Sequence, residues 1–283
     1  MCTGVRRIGT CRETVLGGFD RCGVSDDAVP SLASFEGRSP AECPLPHSAN
    51  QLLARLPEST RTRLGAIGQI VALPLSHVLG EAHAPTTHVY FPVDGFVSLL
   101  AQVDSQHVIE VGMVGREGML GIQVALGVPC EPLKSLVQGE GRALRIEAAA
   151  FQLELATTPA LRATLYRYLY ILLSQHTRAA ACLRFHMIEQ RLARWLLMSQ
   201  DRALSDVFKF TQEFLAYMLG VRRVGVTVAA GELQRRNLIS YERGVMTIVD
   251  RAGLENAACS CYASDLAVYN AQFAVPMPDA EVA

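Results

Sequence analysis

The chain has 283 residues, half of them hydrophobic, and a formal net charge of -1. That length gives room for two domains and a buried core. The near-zero charge excludes a uniformly basic nucleic-acid binder and leaves only a local basic patch.

The apolar residues never form the run of roughly 20 that a membrane span requires. The first stretch, "MCTGVRRIGTCRETVLGGFD", lacks the apolar core of a secretory signal, so a cytoplasmic location is expected. Eight cysteines in a reducing compartment read as thiols rather than disulfides. They stand at 2, 11, 22, 43, 130, 182, 259 and 261 with no C-x-x-C pair, so neither a zinc knuckle nor a thioredoxin-type motif is indicated. An iron-sulfur or metal site built from Cys11, Cys22, Cys43 and Cys130 would need loops to converge across wide, irregular spacings. Ordinary thiols are the better account, and no metal is expected.

Residues 1–46, with "GRSPAECPLPHSAN", mix Gly, Pro, Ser and Cys without a period and read as a flexible extension. In "NQLLARLPESTRTRLGAIGQ" the apolar Leu52, Leu53, Leu56, Leu64 and Ile67, broken by Pro57, predict two short helices. Between about 68 and 148, runs such as "QIVALPL", "THVYFPV", "GFVSLLAQV" and "HVIEVGMV" alternate with turn residues. They predict a β sandwich or barrel of about eight short strands within residues 47–150.

From Pro159 a long segment without Pro or Gly predicts a helix, bent near Arg184, in a region spanning 151–185. Leu161, Leu165, Tyr168, Leu172, Gln175 and Ala179, continuing to Cys182, step by four and three like a coiled-coil seam. One side is expected to pack on the β domain and the other on a second copy of the same helix. A helix buried wholly in its own chain fits the same pattern.

Residues 186–256 hold the most specific signal. In "FTQEFLAYMLGVRRVGVTVAAG", Thr211 is a helix N-cap, Glu213 sits in the first turn, and Gly220 reverses the chain. On the second helix Val226, Ala229, Ala230 and Leu233 share an inner face. Val224, Thr227, Val228, Gly231 and Arg235 lie outside, with Arg222 and Arg223 at the N-terminal end. A slim, arginine-tipped face suits the major groove, Arg223 reaching guanine, Arg222 phosphate, and the valines thymine methyls. "SYERGVMTIVDR" predicts a wing hairpin with Arg243 at its tip, and Lys209 and Arg235 would hold the backbone. Residues 220–244 carry five arginines against two glutamates. Residues 257–283 are expected to be a tail.

This order of parts resembles the Crp/Fnr family of bacterial transcription regulators over about residues 50–255, closest at "FTQEFLAYMLGVRRVGVTVAAGELQRRNLIS". The resemblance implies an α+β chain: an antiparallel jelly-roll-like β-roll, a long dimerisation helix and a winged helix-turn-helix. Double-stranded DNA, a second copy and RNA polymerase are the implied partners. Base-reading positions correspond to Arg223, Val224 and Val228, the valines replacing a glutamate and an arginine. The cyclic-nucleotide cassette is degenerate. "GREGMLGIQVALGVPCEPLKSL" has Ile122 after Gly121 where the family has Glu, so Arg116, Glu117, Gly121, Lys134 and Ser135 are only a weak effector pocket. Neither cyclic nucleotide, iron-sulfur cluster nor haem is expected as cofactor. His77, His83, His88 and His107 read as surface residues, and Cys259 and Cys261 have no evident partner. No enzyme motif is present. A small-molecule or redox sensor module with a protein-docking helix-turn-helix, or a true cyclic-nucleotide-responsive regulator, is the alternative.

Overall fold

Asn50 is buried, and every polar atom of its side chain is used. Its Nδ2 donates to the carbonyls of Pro92 and Gly118 at 2.8 and 2.9 Å, and its Oδ1 accepts from the N–H groups of Leu52 and Leu53. This pins the entry of the chain onto the β-roll, where a buried amide left unpaired would cost about 1–3 kcal/mol. The structure is a computed structural model that describes residues 49–104 and 107–274. The expected extension over 1–46 and its cysteines 11, 22 and 43 lie outside the described residues.

A single 3-10 turn and α1 (Glu58–Ile67) lead into β1 (Gly68–Leu73), β2 (Val78–Gly80), β3 (His88–Gln102), β4 (Val108–Val114) and β5 (Lys134–Glu147). The first predicted helix is thus only that turn, and Ile67 of the apolar pattern is exposed. The strands form one antiparallel sheet in the order β1-β5-β3-β4, with β2 also on β5. The sequence pattern predicts about eight short strands; the described residues form five, and two of the predicted runs, "THVYFPV" and "GFVSLLAQV", fuse into the 15-residue β3. The reason is Gly95. Its φ of +73° makes a bulge rather than a turn, and a Cβ there would fall 2.4 Å from the Gly139 carbonyl oxygen of β5. Further register shifts between Pro92 and Val97 bend the β3–β5 ladder. The sheet closes around Leu73, Val97, Leu99, Val114, Val137 and Ala143.

Next come α2 (Ala148–Thr157) and α3 (Pro159–Phe185), the latter with proline in its first turn, where a missing N–H costs nothing. The break predicted near Arg184 falls at His186 and Met187, after which α4 (Ile188–Ala203) begins. The seam expected to meet a second copy is turned inward. Leu161, Leu165, Tyr168 and Leu172 are buried against the roll and α2, while Gln175 and Ala179 are half-buried. A stripe one step round the helix faces outward instead, with Tyr166, Tyr170 and Leu173 at 53, 54 and 66 % exposure. The sequence could not separate the two stripes, because both repeat every three or four residues.

The winged unit comprises β6 (Val207–Lys209), α5 (Gln212–Leu219), α6 (Arg223–Arg235), β7 (Ile239–Glu242) and β8 (Val245–Ile248), with a three-stranded sheet ordered β6-β8-β7. It is followed by α7 (Arg251–Ala257) and α8 (Cys261–Ala274). The expected tail is therefore largely helix. Along α8, Asp265 accepts from Arg178 of α3 and Arg194 of α4, both at 2.8 Å, and the Tyr269 hydroxyl donates to the Glu117 carbonyl. The strap joins roll, long helix and winged unit. Sequence reasoning missed it because α8 has no clean apolar stripe: its buried face contains Tyr262, Asp265 and Tyr269.

α4 is the common wall. Its Leu192, Leu196 and Leu197 share one core with Phe96, Leu100 and Met113 of the roll and with Leu215, Val226 and Leu233 of the winged unit. Polar bonds cross the same seam. Arg202 pairs with Glu117 at 2.8 Å, the Arg191 guanidinium donates to the Leu219 carbonyl, and the Trp195 indole N–H donates to Glu110 at 2.9 Å. Glu110 also accepts from Ser98, yet burial pushes its carboxyl up to about 7. A carboxyl raised above its unfolded value favours folding while protonated. Stability should therefore fall as pH rises from about 4.5 to 7, by at most about 3 kcal/mol. Glu110→Gln, which mimics the neutral acid, should flatten that slope in urea titrations at pH 5.5 and 8 and leave the variant the more stable at pH 8; equal slopes in both proteins would contradict this.

Candidate DNA interface

Thr211 starts the helix-turn-helix, its hydroxyl accepting the Phe214 N–H at 3.1 Å. Leu215, Ala216, Met218 and Leu219 of α5 are buried, and Trp195 packs edge-on to Phe210 beneath them. Gly220 then takes φ +61°, the N–H groups of Gly220 and Val221 returning to the carbonyls of Tyr217 and Ala216. The left-handed backbone favours glycine there, and a Cβ at 220 would lie 2.5 Å from the Ile109 Cδ1 of β4, which would have to shift. The chain leaves as α6 at 104° to α5, inside the range of a helix-turn-helix.

The two faces of α6 differ sharply. Val226, Ala229, Ala230 and Leu233 are buried, whereas Val224 and Val228 are 72 and 68 % exposed. Gly231 has open space where a side chain would be. Thr227 is exposed with its hydroxyl held by Gln212 at 2.8 Å. Sequence reasoning missed Gln212, whose only signal is its place just after an N-cap.

The cations fall into two groups. Arg235 is bridged to Glu232 at 2.5 Å, its guanidinium holding that carboxyl below the usual range, and Arg236 is bridged to Glu189 at 2.8 Å. Arg235 is therefore counter-charged rather than free, which sequence spacing alone did not indicate. Arg222 occupies the N-cap of α6 and Arg223 its first position. Arg243 sits at the tip of the β7–β8 hairpin with φ +51°, followed by Gly244 at +79°, the left-handed pair of a two-residue turn. Lys209 stands opposite Val245 in the ladder, on the same edge. Among the described residues Arg222, Arg223, Arg243 and Lys209 have no ion-pair partner. The β3–β4 hairpin reaches this end too: Val103, His107 and Ile109 line a 630 Å³ hollow with Tyr217, Arg222 and Arg223.

The residues expected to form an effector pocket do not converge. Gly121 and Ser135 border a cavity of only 50 Å³, well below the roughly 300–1,000 Å³ of ligand pockets, together with Glu81 and Glu131. Burial raises the Glu131 carboxyl, and Lys134 is bridged to Glu81 at 3.1 Å. Arg116 and Glu117 line a separate cleft of 780 Å³ with Arg55, Tyr262 and Tyr269. Glu117 is already paired with Arg202 there.

Residues 190–257 match the family model of the Crp-like helix-turn-helix domain. No curated protein matches the sequence. Among solved structures, a crp/fnr-family protein from Eubacterium rectale aligns with TM-score 0.59 at 15 % identity, covering 74 % of this chain and 98 % of its own. FixK2 from Bradyrhizobium japonicum aligns with TM-score 0.58 at 13 % identity, covering 69 and 98 %. TTHA1359, a CRP/FNR-family transcriptional regulator from Thermus thermophilus, aligns with TM-score 0.56 at 22 % identity, covering 67 and 98 %. Residues 190–257 are a Crp-like helix-turn-helix domain, and the chain that carries it has the fold of the Crp/FNR transcription regulators.

Proposed function

We propose that the protein is a sequence-specific DNA-binding transcription regulator acting as a homodimer on a palindromic site, with RNA polymerase as a further partner. One observation carries this reading: an α6 face of exposed valines and an open glycine, tipped by two arginines with no counter-ion. A major groove supplies what that face lacks, phosphate and guanine for the cations and thymine methyls for the valines. Arg243 and Lys209 lie where the wing meets backbone phosphates. The dimer uses the outward stripe of α3 at Tyr166, Tyr170 and Leu173, which leaves two recognition helices to enter grooves about 34 Å apart.

Cyclic nucleotide is not the effector in this reading, because the Gly121–Ser135 cavity is too small and acidic side chains border it. A small-molecule effector has room in the 780 Å³ cleft beside Arg116 instead. The competing reading, a docking surface for protein, draws on the hollow that Val224 and Val228 form with Leu183 and Met187.

Replacing Arg222 and Arg223 together by Ala should abolish specific binding to operators selected from random DNA and reduce the salt slope by about 2. Unchanged affinity, or binding indifferent to salt between about 50 and 200 mM, would favour the protein-docking reading. Tyr170→Asp with Leu173→Asp should halve the mass measured by sedimentation while leaving helicity intact; a dimer that survives would remove α3 from the interface.

A further inference from the structure

Cys182, Cys259 and Cys261 are buried together, and His186 joins them. Two of these side chains come from the end of the long helix, one helical turn apart, with the His186 N–H donating to the Cys182 carbonyl. Cys259, 77 residues on from Cys182, comes from the short link between α7 and α8, and Cys261 is the first residue of α8. All four donor atoms lie within 4.8 Å of one another.

The spacing matches one tetrahedral ion. Metal–sulfur bonds of about 2.3 Å and metal–nitrogen bonds of about 2.0 Å set sulfurs about 3.8 Å apart and sulfur from nitrogen about 3.5 Å. Here Cys182 Sγ and Cys259 Sγ are 3.6 Å apart, and Cys261 Sγ is 3.5 Å from His186 Nδ1. A multi-iron cluster holds its cysteines further apart than this. Three thiolates around a divalent ion leave one negative charge, and the site has a compensating cation. Arg194, fixed by Asp265 at 2.8 Å, lines the same small hollow as Cys182 and carries its positive charge there. Its Nε also has no acceptor among the described residues, so an N–H remains to support a sulfur ligand.

We propose that Cys182, His186, Cys259 and Cys261 hold a single divalent metal ion, zinc by its preference for three thiolates and one imidazole in a closed tetrahedron. The site is structural and sits at the α3–α4 break. His186 is itself the break residue, and Cys259 and Cys261 lead into and begin the strap helix α8. The ion therefore cross-links the hinge between the long helix and the winged unit, whatever that unit binds.

The test uses the full-length protein purified without chelator. Elemental analysis should find one zinc per chain, and exchange into cobalt should give intense visible bands of tetrahedral cobalt with a near-ultraviolet sulfur-to-metal band. Cys259→Ser with Cys261→Ser should lose the ion. Should that variant misfold, His186→Cys supplies an independent reading: it should keep the ion and move the cobalt bands to lower energy, as a fourth thiolate ligand requires. Several results would overturn the site: no metal above background with three native thiols free to react with a thiol reagent, a Cys182–Cys259 disulfide in a non-reducing peptide map, iron with acid-labile sulfide, or metal retained after both cysteine replacements.

Discussion

α4 decides where everything else stands. Its leucines share one core with residues of the roll and of the winged unit, while the roll also has a core of its own. The polar bonds from Arg191, Trp195 and Arg202 then fix its rotation, because each reaches a different neighbour. A buried charge left without its partner costs several kcal/mol, so the seam holds one register rather than sliding among several. With α4 held this way, α6 can only point its small residues outward.

The same seam also reaches into the roll. Glu117 sits in the turn that the family resemblance associates with an effector, but here it is bound to Arg202 across the seam. Lys134 is held by Glu81, which borders the small cavity. Glu117 and Lys134 are thus engaged in ion pairs, whereas Arg116 lines the larger cleft.

Local features were legible in the sequence and distant ones were not. Thr211, Gly220 and the inner residues of α6 announce themselves by spacing within one or two helical turns, and the structure places each on the face that spacing indicates. The wing turn was equally readable from Arg243 and Gly244. Gly95 misled, since a glycine between two apolar alternations reads as a turn unless the partner strand is known. The α3 stripes could not be distinguished, because periodicity gives the angle of a face and never its neighbour. Arg235 looked like a free cation because its link to Glu232 depends on which rotamer the exposed face permits. Cys182 and Cys259 are separated by most of the winged unit, and no local pattern announces that they meet.

The strap has a further consequence, for the order in which the molecule is assembled. Translation delivers the roll, the long helix and the winged unit before Asp265 and Tyr269 leave the ribosome. Until then Arg178 and Arg194 lack the carboxylate that joins them, and the Glu117 carbonyl lacks its tyrosine. A nascent chain can thus form its pieces and the α4 seam early yet lack the ties that clamp α3, α4 and the roll together until α8 arrives, so a ribosome stalled just past the wing would display a recognition helix on a seam not yet braced from behind.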